Sequence, residues 1–325
     1  MQKKPGKGKL RRIIRLFLWV LLIQVILINI SAAFYARKLT CLREGPPPEA
    51  GPSSNIFKKT WKIFVGPGVY KTPVYRVPAF PYDAVKLTTA NHLLLDAWYG
   101  KTDSVPKGTV ILFHGITSNK GVVLDEANEF RFMGFNVLLV DFRAHGNSEG
   151  KVTTAGVRES EDVKLAYDFV TAKGEKNIFL WGQSMGAVVI CKTVSDYGLK
   201  PSGMIMEMPF GSLQHHLEGR ARTLGFPGEP FGLLVTFWMG GERGFNGFKH
   251  KSTRYANNIT CPVLLQWGFN DTYVTQPEIE SVYKHLASSD KRLVVYQNAG
   301  HESFLRKDPL LWRYEVESFI QRSIK

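Results

Sequence analysis

The strongest constraint on the fold of this 325-residue chain is a hydrophobic run that leads into a Gly-x-Ser-x-Gly pattern around Ser184. Residues 177–180 predict a strand, and residues 185–197 predict a helix directly after the serine. Gly182 and Gly186 flank Ser184, because a sharp turn from strand to helix leaves no room for side chains there. Such a turn projects Ser184 above the helix amino terminus, which favours developing negative charge. We therefore interpret Ser184 as a nucleophile rather than a serine in an ordinary turn.

A nucleophilic serine needs a base to take its proton and a carboxylate to fix the tautomer of that base. In chains with this type of turn, the acid and the histidine follow the serine in that order. Asp271 comes just after a predicted strand at 263–267, and His301 comes just after the next one at 293–296. Of the eight histidines, only His301 has this position. Asp141 also ends a strand, but it precedes the serine and is interpreted as structural.

Acyl transfer also needs two backbone amides that hold the oxyanion of the tetrahedral intermediate. One is expected from Met185, directly after the nucleophile. The other is expected from Ile116, in the loop after the predicted strand 109–113, where Gly115 lets the backbone approach closely. The sequence thus predicts an oxyanion hole made by the amides of Met185 and Ile116.

Strands and helices alternate from residue 82 onwards, as a parallel sheet requires. Strands are predicted at 83–89, 93–99, 109–113, 136–140, 177–180, 203–207, 263–267 and 293–296, and helices at 122–133, 158–172, 185–197, 277–287 and 309–322. The runs 110–113 and 137–140 are hydrophobic throughout, which indicates strands buried on both faces. The fold class is therefore predicted to be α/β, a mostly parallel sheet with helices on both faces. The alternation lapses at 211–258, which we interpret as an insertion near the carboxyl ends of the strands.

Residues 82–325 resemble an α/β-hydrolase, close to the serine aminopeptidase and monoacylglycerol lipase-like branch and to the membrane-anchored BEM46-like hydrolases. The resemblance rests on motifs in the order that such enzymes use: His114-Gly115, the stretch 141–148, Gly182 to Gly186, Asp271 and Gly300-His301. Ala144 departs from the pattern, since the family commonly has glycine there. The resemblance implies an α/β-hydrolase fold in which the insertion at 211–258 is a cap. The hydrophobic cap segment 231–239 is expected either to line an acyl pocket, to face a membrane or to pack as a buried helix.

The triad and the resemblance together predict a serine hydrolase that cleaves carboxylic esters, lipid or acyl esters among them, through an acyl-enzyme. A serine peptidase or amidase of the same fold remains open, because substrate choice lies in the cap and the pocket. A non-catalytic membrane-bound scaffold with a hydrolase fold is the alternative from another class.

No cofactor is expected. A Ser-His-Asp mechanism needs neither a metal nor an organic group. Cys41, Cys191 and Cys261 are far apart, show no metal-like spacing and are too few for a disulfide framework.

The formal net charge of +14 is concentrated at the amino terminus, because residues 1–38 carry nine positive charges and no acid. About +5 is left on the other 287 residues, which requires no polyanionic partner. The sequence also lacks zinc-finger spacing, an RNP-like aromatic motif and a basic heptad region. Nucleic acid is therefore not expected as a partner.

Residues 13–36 are hydrophobic except for Arg15, Gln24 and Asn29, and are long enough to cross about 30 Å of hydrocarbon. We predict a transmembrane signal anchor. A cleaved signal peptide is the alternative, since residues 31–33 (Ser-Ala-Ala) offer small residues at cleavage-like spacing. The excess of positive charge before the segment predicts a cytoplasmic amino terminus and an extracytoplasmic domain, periplasmic in a bacterium.

The regions around this segment complete the predicted organisation. Residues 1–12 are a basic tail, residues 37–55 a Pro/Gly-rich linker and residues 82–325 the hydrolase domain. Between them, residues 56–81 are a juxtamembrane segment whose aromatic and lysine residues suit an anionic bilayer surface. A short helix that packs on the domain is the alternative for that segment.

Overall fold

The computed structural model describes residues 7–46, 56–223, 225 and 227–324. The strands are β1 Leu42–Arg43, β2 Val69–Tyr70, β3 Tyr82–Thr88, β4 Leu94–Gly100, β5 Thr109–Phe113, β6 Asn136–Val140, β7 Ile178–Gln183, β8 Gly203–Glu207, β9 Val263–Gly268 and β10 Lys291–Tyr296. The helices are α1 Lys7–Thr40, α2 Ile56–Val65, α3 Leu124–Phe132, α4 Ser160–Ala172, α5 Met185–Tyr197, α6 Leu213–Thr223, α7 Phe231–Arg243, α8 Ser252–Ala256, α9 Gln276–His285, α10 Phe304–Lys307 and α11 Pro309–Ser323.

Eight strands form the central sheet, in the order β10-β9-β8-β7-β5-β6-β4-β3. The strand β4 runs antiparallel to both of its neighbours, and all other neighbouring pairs are parallel. In the register of the sheet, Phe113 at the end of β5 lies beside Gly182 near the end of β7. The loops that follow β5, β7, β8, β9 and β10 therefore leave the sheet at the same edge. This topology confirms the predicted α/β-hydrolase fold.

The central strands are buried on both faces, as their continuous hydrophobic runs predict. In β5, Ile111 and Phe113 belong to the core cluster that includes residues of α4, α5 and α9. Val110 and Leu112, which point the other way, belong to the cluster that includes residues of α3 and α11. The sheet is thus a middle layer between two layers of helices.

The predicted bounds agree with β5, β6, α5 and β8 as they stand, and the other strands and helices predicted between residues 82 and 325 agree to within three residues. The strand β7 runs three residues further than predicted, to Gln183, so that it reaches the serine itself. The prediction missed the helices α6, α8 and α10 and the two-residue strands β1 and β2, which pair with each other in parallel. Pairs this short are specified by contacts between distant residues and leave no periodic pattern in the sequence.

The insertion at 211–258 contains α6, α7 and α8. The segment 231–239 forms most of α7, which packs against both α1 and α6. Val235 and Met239 are buried there, whereas Leu233 and Phe237 are exposed. The cap segment is therefore a helix with one buried and one exposed hydrophobic face.

The helix α1 contains a stretch, Gly8–Thr40, that is long and hydrophobic enough to cross a membrane. Its first part is exposed, but Ala32, Tyr35, Ala36 and Leu39 are buried against the domain. The helix α1 continues four residues beyond the predicted span 13–36, to Thr40, and β1 follows. Of the predicted linker 37–55, the first residues are thus helix and strand, because they pack on the domain. Residues 47–55, and residues 1–6 of the predicted basic tail, lie outside the described residues.

The helix α2, which lies in the predicted juxtamembrane segment, packs against α1. The Ser31 hydroxyl donates a hydrogen bond to the Phe64 carbonyl oxygen (2.5 Å), and the Tyr35 hydroxyl donates one to the Ile63 carbonyl oxygen (2.6 Å). Trp61 on α2 remains exposed. The segment therefore packs on the molecule and still presents aromatic surface outward.

Candidate active site

The turn between β7 and α5 places Ser184 in a backbone conformation (φ 53°, ψ −115°) that is uncommon for a residue with a side chain. A Cβ added to Gly182 would lie 2.5 Å from the carbonyl carbon of Gly186. A Cβ added to Gly186 would overlap the carbonyl oxygen of Phe113 on β5. Both glycines are thus required by the close approach of strand and helix, which is the reason inferred from the sequence.

The structure brings together the three residues of the predicted triad. The Ser184 hydroxyl lies 3.0 Å from His301 Nε2, and His301 Nδ1 lies 2.7 Å from Asp271 Oδ2. Ser184 follows β7, Asp271 follows β9 and His301 follows β10, so parallel strands deliver all three to one edge of the sheet. Both distances are within hydrogen-bond range, which is the geometry that a base-activated serine needs.

The Asp271 side chain is buried and its orientation is fixed by the backbone. Its Oδ1 accepts hydrogen bonds from the amides of Tyr273 (2.7 Å) and Val274 (2.8 Å), while Oδ2 faces His301. The His301 side chain keeps 28% of its surface exposed. The carboxylate is therefore held rigidly inside, and the imidazole has access to an incoming molecule.

The loop after β5 lies directly beside the serine, since a Cβ on Gly115 would be 3.5 Å from the Ser184 Cβ. The fully buried His114 ring braces this loop: Nδ1 is 2.7 Å from the Gly115 carbonyl oxygen, and Nε2 accepts from the Phe142 amide at 3.2 Å. Burial holds the pKa of His114 well below its ordinary value, so the ring is neutral and serves as donor and acceptor. Ile116 follows in this loop, and Met185 begins α5 next to the serine.

The stretch 141–148 forms a buried turn. Asp141 accepts hydrogen bonds from the Lys120 amide (2.7 Å), the Lys120 ammonium (2.5 Å) and the Asn147 amide (2.9 Å). These contacts agree with a structural role for Asp141. Ala144 has a positive φ of 65°, which accounts for the glycine that the resemblance leads one to expect there.

Two polar residues near the triad escaped the sequence reasoning. The Tyr273 ring packs 4.9 Å from the His301 ring, and its hydroxyl lies 3.1 Å from Nδ1 of His216 in the cap helix α6. Burial, together with the charges of Arg220 and His301, lowers the pKa of His216 to about 3. His216 is therefore a neutral cap residue tied to the triad through Tyr273. In the sequence, the only indication for His216 is its position in the insertion. Its contact with Tyr273 joins residues 57 positions apart, and no local pattern predicts such a contact.

Comparisons with known proteins identify relatives of this chain. The family model described as serine aminopeptidase, S33, matches residues 104–230. A lysophosphatidylserine lipase, ABHD12, of Danio rerio is 25% identical over 210 residues, which cover 60% of this chain and 51% of that protein. The monoacylglycerol lipase of Mycolicibacterium smegmatis is 25% identical, with 70% of this chain and 92% of that protein covered. Protein bem46 of Schizosaccharomyces pombe is 26% identical, over 41% of this chain and 46% of that protein.

The fold has solved counterparts as well. The esterase Pf2001 of Pyrococcus furiosus superposes with a TM-score of 0.62 at 24% identity, and covers 86% of this chain and 100% of that one. Sheet, motif order and relatives together place the chain in the α/β-hydrolase superfamily. Within it, the chain is similar to lipases and esterases, and it spans about half the length of the zebrafish lipase.

Proposed function

We propose that this chain is a membrane-anchored serine hydrolase that cleaves carboxylic esters of amphiphilic molecules. The observation that carries the proposal is the hydrogen-bonded series Ser184–His301–Asp271, with distances of 3.0 Å and 2.7 Å. Serine, imidazole and carboxylate in this order are the groups of acyl transfer by nucleophilic catalysis.

In the proposed reaction, Ser184 Oγ attacks the ester carbonyl carbon while its proton passes to His301 Nε2. The amides of Met185 and Ile116 hold the oxyanion of the tetrahedral intermediate. Its collapse breaks the bond to the alcohol oxygen, which takes the proton from His301 and leaves. Water then attacks the acyl-enzyme, gives a proton to His301 and releases the carboxylic acid as Ser184 regains its proton. Asp271 keeps the imidazole oriented throughout.

Esters are favoured over amides by the character of the relatives, two of which are lipases of lysophosphatidylserine and of monoacylglycerol. The exposed hydrophobic surface of α1 and of the cap helix α7 also suits amphiphilic molecules. Amide or peptide substrates use the same residues, and the matching family model bears the description of an aminopeptidase. The two classes therefore have to be compared by experiment.

A membrane anchor and an extracytoplasmic domain are part of the proposal. The candidate span in α1 and the basic residues that precede it support this orientation. Carbonate extraction of membranes should leave the chain in the pellet, and external protease should reach the domain. Extraction into the supernatant, or a mature chain that begins near Phe34, would contradict the anchor.

The activity is tested with a fluorophosphonate probe on membranes that contain the wild type or Ser184→Ala. We expect labelling that depends on Ser184, and its absence would favour a non-catalytic scaffold. A series of acyl esters beside aminoacyl amides then ranks the substrates. Faster turnover of the amides would reject the ester assignment while keeping the serine mechanism.

A further inference from the structure

A hydrophobic groove of about 770 Å³ lies between α1, α2 and the cap, away from the triad. On α1 it is lined by Gln24, Leu27, Ile28, Ser31, Ala32 and Tyr35. These residues recur every three or four positions (24, 27 and 28, 31 and 32, 35), so they form one face of the helix. Its size lies within the range of sites that enclose a small molecule.

The opposite walls are also hydrophobic. Ile63 and Phe64 of α2 form one of them, and Phe231 and Leu234 of α7 form the other. The hydroxyls of Ser31 and Tyr35 are engaged with carbonyl oxygens of α2. The exposed side chain of Glu229 at the groove accepts a hydrogen bond from Gln214 at 2.6 Å. The groove therefore presents mainly hydrocarbon to whatever enters it.

The position of the groove along α1 gives its depth in the predicted membrane span. The predicted span 13–36 has its midpoint at residues 24–25, so Gln24 lies at the middle of the bilayer and Tyr35 at the surface next to the domain. The 11-residue separation corresponds to about 16 Å along the helix axis. That length matches one leaflet, since the whole hydrocarbon core is about 30 Å thick. With the predicted span in a bilayer, a lipid chain of the adjoining leaflet would run parallel to this groove.

The core of the cap lies between the inner end of the groove and the loop of the candidate active site. Tyr35, Val235 and Met239 belong to one hydrophobic cluster, and Ile116 packs against it. A small cavity lined by Leu39, Met239, Ile116 and His216 lies beside this cluster. The end of α1 and the predicted oxyanion loop thus pack against one hydrophobic cluster, and the small cavity beside it is also lined by Thr117, His216 and Arg220.

We propose that the groove is the acyl-chain site of the enzyme, in which a membrane-embedded ester keeps its hydrocarbon tail while its carbonyl reaches Ser184. The membrane helix α1 is then one wall of the substrate site as well as an anchor. This inference rests on the proposed esterase function. It predicts that long acyl esters are preferred and that the groove, rather than the triad, sets this preference.

The first test fills the groove. Leu234→Trp places a larger side chain into it, and Leu233→Trp is the matched control, because Leu233 is exposed and does not line the groove. Each methylene group that is kept out of a hydrophobic site lowers the binding affinity roughly fourfold. If two methylenes are displaced, the ratio of kcat/KM for palmitoyl over butyryl p-nitrophenyl ester should fall roughly fifteenfold in Leu234→Trp. The control should retain the wild-type ratio.

The second test does not depend on turnover. The Ser184→Ala chain in phospholipid nanodiscs is irradiated with a phosphatidylcholine that carries a diazirine in its acyl chain, and the cross-linked peptides are mapped. We expect adducts concentrated on the groove face of α1, around Ile28 and Ala32, and on residues 227–234. Ile23, which is exposed and does not line the groove, reports on ordinary contact with bilayer lipid.

The outcomes separate the two proposals. An unchanged chain-length ratio in Leu234→Trp, or adducts as frequent around Ile23 as around Ile28, would overturn the groove. If the wild type hydrolyses no ester in a Ser184-dependent way, the esterase function is overturned. The cross-linking pattern would still decide whether the groove binds acyl chains.

Discussion

The buried carboxyl group of Glu207 should make the stability of the protein fall as pH rises, and Glu207→Gln should remove this dependence. Glu207 ends β8, and its Oε1 accepts hydrogen bonds from the indole nitrogens of Trp181 (3.1 Å) and Trp312 (2.7 Å). Within the described part of the chain, its Oε2 has no hydrogen-bond partner. Burial, with a smaller contribution from the carboxylate of Glu126, raises the pKa of Glu207 to about 8.

The sign follows from proton linkage. An unfolded glutamate titrates near pH 4.3, so between about pH 4.3 and pH 8 the folded state holds a proton that the unfolded state has lost. The folded state therefore loses free energy of stabilisation as pH rises through this window, and the loss stops above pH 8. At about 1.4 kcal/mol per pH unit, the total is roughly 4 to 5 kcal/mol. Glutamine has no proton to lose, and its carbonyl oxygen accepts from both indoles in the same way.

Thermal unfolding of the wild type and of Glu207→Gln, followed in one detergent from pH 5 to pH 9, measures the effect. At pH 5 the two proteins should unfold at similar temperatures, and at pH 9 the variant should unfold higher by on the order of 10 °C. Labelling of Ser184 by the fluorophosphonate shows that both are folded. Parallel profiles over the whole range would refute the assignment of a protonated Glu207.

Three further predictions concern the site and its support. Asp271→Asn should lower kcat by roughly 10³- to 10⁴-fold at unchanged melting temperature, because the amide no longer fixes the tautomer of the imidazole; near-normal turnover would assign the orienting role to another residue. Gly186→Ala should abolish labelling of Ser184, since the added methyl group overlaps a carbonyl oxygen of β5, whereas Gly241→Ala, where the methyl group meets open space, should label normally. Lys120→Met should lower the free energy of unfolding by about 3 to 5 kcal/mol, because the fully buried Asp141 loses its counter-charge. Adding Asp141→Asn to Lys120→Met should restore part of that loss, and a thermal shift of less than a few degrees for Lys120→Met alone would contradict the reasoning.

Local hydrophobic patterns predict most of the strands and helices of this fold. The strands β5, β6 and β8 and the helix α5 were predicted with their observed bounds, because each is a hydrophobic run that ends at glycine or polar residues. The triad was predictable because the chain order of serine, acid and histidine fixes which strand end delivers each group.

What the sequence could not predict depends on contacts between distant residues. Lys120 has a fully buried side chain between Asp141 and Asp96, which follow and precede it by more than 20 positions. Read alone, it is an ordinary exposed lysine. Its ammonium lies 2.5 Å from Asp141 and 2.7 Å from Asp96, so its burial becomes intelligible only when β4 and β6 are neighbours.

The contacts at the end of α1 also bear on whether the amino-terminal segment is cleaved. A signal peptidase needs an extended chain at the small residues 31–33, but Ala32 is buried and the Ser31 hydroxyl is bonded to α2. Beyond them, Thr40 is fixed twice, since its hydroxyl accepts from Arg243 of α7 at 2.8 Å and its carbonyl oxygen accepts from the Thr153 amide at 2.9 Å. Unwinding the helix at 31–33 would break the hydrogen bond from Ser31 to α2 and expose Ala32. In the folded protein the last turns of α1 therefore pack against the cap helix α7 and beside Thr153.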